Sequence, residues 1–106
     1  MSADGEKIIV YIDEDLADLI PGFLENRRSD VEKMNEALAG QDYETIRSLG
    51  HSMKGAGGGY GFDAITEIGR SLEEAAEAQN TGTIRTAIGD LIYYLDNVEI
   101  IYKEEE

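Results

Sequence analysis

The 106-residue chain predicts an all-α fold, an up-down-up-down four-helix bundle with a short extra N-terminal helix and an extended N-terminal arm. Three observations carry this. After Asp13 the apolar residues recur every three to four positions, the spacing that gathers them on one helix face. Four such stretches follow one another with short breaks, and short connections make successive helices antiparallel neighbours. No alternation of strand and helix patterns appears, so an α/β fold is not expected.

The elements follow in order. Ile8-Ile9-Val10-Tyr11-Ile12 is a short β run. No second comparable run is evident, so residues 1–13 are expected to form an extended arm and 14–106 the bundle. The pattern leaves open whether that arm packs on the body or pairs two chains; a monomer is the expectation. Asp13-Glu14-Asp15 supplies capping carboxylates before Leu16, Leu19 and Ile20, which predicts a short helix over 14–20. Pro21 then suits the first turn of a new helix, where its missing N–H is not needed. In 22–39, Phe23, Leu24, Val31, Met34 and Leu38 share one face, and Gly40 ends the helix. In 43–60 the apolar set is Ile46, Leu49, Met53 and Tyr60, with Gly50 and Gly57 on the same face. In 63–79 it is Ile65, Ile68, Leu72, Ala75 and Ala76, opened by Asp63 as a candidate cap. After the break at Asn80-Thr81-Gly82-Thr83, Ile84, Ile88, Leu91, Leu95, Val98 and Tyr102 predict a helix to about residue 103.

Composition narrows the function. The chain carries 23 Asp plus Glu against 9 Lys plus Arg, a formal charge of -14, with one histidine and no cysteine. Nucleic acids and anionic membranes are not expected partners, because both require clustered cations. The missing cysteines exclude disulfides, Fe–S clusters and thiol nucleophiles. The start lacks the basic and apolar regions of a signal peptide, and no apolar run is long enough to span a bilayer, so a soluble cytoplasmic protein is expected. No metal site is expected, since Asp13-Glu14-Asp15 departs from an EF-hand loop and the one histidine has cations beside it.

One segment conflicts with its surroundings: His51-Ser52-Met53-Lys54-Gly55-Ala56-Gly57-Gly58-Gly59-Tyr60-Gly61. Each glycine in a helix interior costs about 1 kcal/mol relative to alanine, yet the apolar spacing from Ile46 through Met53 to Tyr60 runs straight through. As a loop it fits neither a P-loop, since Lys54 precedes the glycines, nor a dinucleotide fingerprint, since Gly-x-Gly-x-x-Gly is not met. As a helix it points His51 about 160° from the core stripe, with Arg47, Lys54, Gly55 and Gly58 on the same outward side. Gly50 and Gly57 then face inward, where a missing side chain lets helices approach. A neutral imidazole is a nucleophile that can carry a phosphoryl group on a ring nitrogen, and a cation one turn on offsets the phosphoryl charge.

At these residues the sequence resembles the histidine-containing phosphotransfer (HPt) domain family, whose pattern is His-x-x-Lys-Gly followed by small residues and a further glycine. The resemblance spans most of 14–103 in helix count, order and motif position. It implies that His51 is the phosphoacceptor, that Lys54 stabilises the phosphoryl oxygens, and that Gly55 and Gly58 give a partner access. It also implies that Glu73, on the next helix, bonds the ring nitrogen that is not phosphorylated; on its own Glu73 also reads as a solvated carboxylate. Arg47 could meet an acidic partner, and for Arg47 and Arg70 a plain surface ion pair is an equal alternative.

By that resemblance the protein is a phosphorelay intermediary of two-component signalling. It would take a phosphoryl group from a phospho-aspartate receiver or a histidine kinase and pass it to a receiver aspartate. No cofactor is expected, Mg²⁺ belonging to the partner receiver. It would not be an enzyme, since 106 residues leave no room for an ATP-binding domain. The competing readings are a helical adaptor that never carries phosphate, and the detached phosphoacceptor module of a chemotaxis-type kinase. A dimerisation-type kinase helix fits poorly, because Ser52 rather than an acid follows His51 and no proline follows Pro21.

Overall fold

The computed structural model describes residues 7–104, and the first six residues of the expected arm lie outside that range. The elements are β1 (Ile8–Asp13), a single 3₁₀ turn (Glu14–Leu16), α1 (Ile20–Ala39), α2 (Tyr43–Tyr60), α3 (Asp63–Glu77), α4 (Thr81–Asn97) and β2 (Val98–Lys103). The four helices contact one another in a closed ring: α2 lies most extensively on α3, α3 on α4, and α1 touches both α2 and α4.

Local chemistry explains the boundaries. Asp42 caps α2, its carboxylate accepting from the Thr45 N–H at 3.1 Å, and Asn80 caps α4 by accepting from the Thr83 N–H at 3.1 Å. Gly61 closes α2 at φ 88°, a left-handed step that glycine takes without a Cβ clash. The glycine-rich stretch through Tyr60 is therefore continuous helix, the second of the two readings it allowed.

Four expectations are corrected. The short helix over 14–20 is one 3₁₀ turn, with Asp13 accepting from the Asp15 N–H, and α1 starts only at Ile20. The bonds there are of the tighter i→i−3 kind, Ala17 N–H to the Glu14 carbonyl at 3.0 Å and Leu19 N–H to the Leu16 carbonyl at 2.9 Å, a pattern that rarely extends beyond a few residues. Asp63 is the first residue of α3 and not its cap; that place belongs to Phe62. The last helix ends at Asn97, and Val98–Lys103 is a strand. Consequently β1 does have a partner, pairing with β2 in parallel from Ile8 opposite Val98 to Asp13 opposite Lys103.

The core is built from the expected stripes, with Met34, Ile46, Met53, Ile65, Leu72, Ile84 and Leu91 fully buried. Phe62 joins them from the α2–α3 turn, stacked on Phe23 at 5.2 Å between centroids and edge-on to Tyr94 at 6.5 Å. The buried acid Asp30 accepts from Arg27 Nε at 2.9 Å, so its charge is partnered, as burial requires. Among the described residues no helix is long and apolar enough to cross a membrane.

Tyr94 gives this core a spectroscopic marker. Burial first, and the Asp63 charge second, push its phenol up to about 12. A folded-state value above the unfolded one means that the protonated phenol's contribution to stability is complete below about pH 10 and lost as pH rises toward 12. In an ultraviolet titration of the six tyrosines, Tyr94 is expected to ionise last, together with loss of helical signal, and Tyr94→Phe should remove that final step. Ionisation of all six near pH 10 with the helices intact contradicts this.

Candidate functional site

The site is built across the α2–α3 interface. His51 stands on α2 with its side chain 68% exposed, one turn before Lys54. From α3, Glu73 reaches the same place with only 16% of its side chain exposed. Its two oxygens divide the work: Oε2 lies 3.0 Å from His51 Nδ1, and Oε1 lies 3.0 Å from Lys54 Nζ. Three residues selected from the sequence thus meet at one carboxylate.

The electrostatics follow from that contact. The hydrogen bond from Lys54 is the largest influence on Glu73 and holds its carboxyl below the ordinary carboxylate range; His51 adds to this, and partial desolvation opposes it. An ionised Glu73 can only accept, so His51 Nδ1 carries the proton in this contact, and in the neutral ring Nε2 is the nitrogen that keeps its lone pair.

The helices can bring these side chains together because three glycines remove bulk between them. A Cβ on Gly50 would fall 2.8 Å from the Gly69 carbonyl oxygen and 2.8 Å from the Glu73 nitrogen. One on Gly57 would fall 2.7 Å from Thr66 Oγ1, and one on Gly69 would fall 2.6 Å from the Lys54 nitrogen. Thr66 adds a tie across the interface, its hydroxyl donating to the Lys54 carbonyl at 3.3 Å. Gly69 and Thr66 were not singled out from the sequence. Gly69 lies between Ile65 and Leu72 on the apolar stripe of α3, the same signal that marked Gly50 and Gly57 on α2.

On the outward side Gly55 and Gly58 are exposed, as their positions on the helix predicted. A Cβ on Gly55 would meet nothing within 4 Å, and one on Gly58 would meet only Thr66 Oγ1 at 3.7 Å. Gly59 is equally open. Arg47 is not drawn into the cluster: its guanidinium donates to Glu44 at 2.6 Å, and that contact raises its pKa. Arg70 pairs with Glu67 one turn away on α3. Among the described residues no group of three or more His, Cys, Asp or Glu is placed to hold a metal ion.

A model of the Hpt domain matches residues 18–99, more than three quarters of the chain and all four helices. The chain belongs to the Hpt domain family. Hpt domains are phosphotransfer modules of two-component and phosphorelay signalling, without kinase activity of their own, and they interact with histidine kinases and receiver domains. No curated protein and no solved structure matches this Hpt protein. The matched span excludes β1 entirely and stops after the second residue of β2.

Proposed function

We propose that this Hpt protein is a phosphorelay intermediary that accepts a phosphoryl group on His51 Nε2 from a phospho-aspartate receiver or a histidine kinase and returns it to a receiver aspartate. The observation that carries this reading is the contact of Glu73 Oε2 with Nδ1 of an exposed imidazole. In the forward step the Nε2 lone pair attacks phosphorus, an N–P bond forms, and the bond from phosphorus to the aspartyl oxygen breaks. The aspartate leaves as carboxylate, and no proton must move, because Nδ1 already holds the ring's only one. The ring gains positive character, which the ionised Glu73 offsets. Lys54, paired with Glu73 at rest, supplies the cation nearest to the phosphoryl oxygens.

Gly55 and Gly58 form the bare strip through which a receiver reaches the ring, and Arg47 adds positive charge at its edge. Mg²⁺ and the acidic pocket belong to the receiver, and the compartment is the cytoplasm. The helices are assigned to an up-down-up-down bundle, consistent with their short connections and ring of contacts.

The test is incubation with a panel of ³²P-phosphorylated receiver domains, followed by a search for acid-labile label on this chain. Absence of label with every receiver and kinase of the source organism leaves the adaptor reading in its place.

Two sets of variants dissect the roles. Glu73→Ala should lower the transfer rate by about 10- to 100-fold, the effect of removing a carboxylate that orients a ligating histidine. Lys54→Ala should slow transfer or shorten the phosphoryl lifetime with the fold retained, and should raise the Glu73 carboxyl pKa toward the ordinary range, read by NMR titration of that carboxyl. Unchanged kinetics in both variants removes the roles assigned to them.

Gly58→Leu tests access. The position is open apart from Thr66 Oγ1 at 3.7 Å, so the thermal midpoint should move little while receiver binding weakens. Normal binding means that the strip serves the helix and not the partner.

A further inference from the structure

The two-stranded sheet has no part in the phosphotransfer site, and its exposure is unusual. Parallel strands are ordinarily covered on both faces. Here β1 and β2 pair only with each other among the described residues, which leaves an open edge on each. Their outer face shows Ile9 at 43%, Tyr11 at 62% and Ile101 at 38% exposure. Edge strands that stay single are guarded by inward charges, prolines or bulges. The run Ile8–Ile12 has no charged residue, proline or glycine.

The charges flanking that run are self-complementary. Lys7 precedes it and Asp13 ends it, with Val10 midway. When β1 meets a second copy antiparallel about a two-fold axis at Val10, Lys7 of each copy faces Asp13 of the other, and Ile9 faces Tyr11. Directly opposed residues share a face, so only registers that move in steps of two are allowed. Slipping one step sets Lys7 against Tyr11, and the other sets Asp13 against Ile9; neither pairs the charges. An isologous contact demands such a self-matching surface. The edge of β2 fits less well, because Glu99 lies within the strand.

We propose that two copies of this protein pair through β1, forming a four-stranded sheet in the order β2-β1-β1-β2 about a two-fold axis at Val10. This replaces the expectation of a monomer and is independent of the phosphotransfer chemistry. A ladder of seven residues is smaller than a standard interface of about 1,200–2,000 Å², and two chains of charge -14 repel each other. The dimer is therefore weak and concentration-dependent.

Sedimentation of the full chain in about 0.15 M salt, from about 1 μM to 1 mM, should show the mass rising from one chain toward two. Lys7→Glu alone and Asp13→Lys alone should each abolish the rise, and an equimolar mixture of the two variants should restore it. The cysteine-free chain also permits a register test. Under mild oxidation, Ile9→Cys mixed with Tyr11→Cys should form a cross-linked dimer, and neither variant should do so alone. A monomer at every concentration, with Ile9→Cys and Tyr11→Cys inert when mixed, overturns the proposal. So does a dimer in which Ile101→Cys cross-links to itself, since that places the axis on β2.

Discussion

His51→Gln is expected to abolish phosphoryl uptake while leaving the fold unchanged. The magnitude follows from the composition: the chain holds one histidine, so no neighbouring imidazole can substitute. An amide nitrogen has its lone pair delocalised into the carbonyl and does not attack phosphorus, whereas the imidazole Nε2 opposite a protonated Nδ1 does. The fold should survive because the side chain is 68% exposed and its one polar partner, Glu73, keeps its contact with Lys54. Surface substitutions of this kind shift stability by about 0.5 kcal/mol or less. The measurement is acid-labile label after incubation with a phosphorylated receiver, beside a circular-dichroism melt. Label equal to that of the wild type would mean that phosphate sits elsewhere, such as on a carboxylate, and that the Glu73–His51 contact is structural.

How much of this could be read in the sequence differs by element, for physical reasons. Helix α2 was bounded correctly at Tyr43–Tyr60 because its apolar period survives the glycines and Gly61 ends it. His51 is legible because position on a helix fixes direction and places it on the outward face; Glu73 enters only through the resemblance to the HPt pattern, since its own position also reads as a solvated carboxylate. The second contact of Glu73, to Lys54, was not legible: it depends on how closely two helices approach, which is decided by Gly50, Gly57 and Gly69 acting together. Phe62 was missed because it sits in a turn, outside both neighbouring stripes, although it is fully buried. The end of α4 misled for a different reason. Val98 and Tyr102 continue the helical spacing from Leu91 and Leu95, and over six residues that spacing cannot be told from a strand. What settles it is a partner 90 positions earlier, Ile8 opposite Val98, and no local pattern reveals pairing at that distance.

Gly69→Ala is the substitution expected to harm the fold most for its size. Two effects oppose each other. Replacing glycine within a helix gains about 0.8–1 kcal/mol of propensity. Against this, the new Cβ would fall 2.6 Å from the Lys54 nitrogen, 2.7 Å from the Gly50 oxygen and 3.0 Å from the Lys54 Cα. All three are backbone atoms of α2, so no side chain can swing aside, and the helices themselves must part. Overpacking of this kind costs about 1–3 kcal/mol where side chains can adjust, and here they cannot, so the clash outweighs the propensity gain. Gly89→Ala is the matched control: it lies within α4 with nothing within 4 Å of the new Cβ, and it should stabilise by about 0.5–1 kcal/mol. Denaturant unfolding of the two variants should therefore move in opposite directions. The consequence reaches the site, because Gly69 lies one turn before Glu73 on α3, and parting α3 from α2 draws the carboxylate away from both His51 and Lys54. Where the Gly69→Ala protein still folds, its transfer rate should fall toward that of Glu73→Ala, and adding Glu73→Ala to it should lower the rate little further. Equal stability of the Gly69 and Gly89 variants would mean that α2 and α3 tolerate a wider spacing, and that the orientation of His51 does not rest on their close approach.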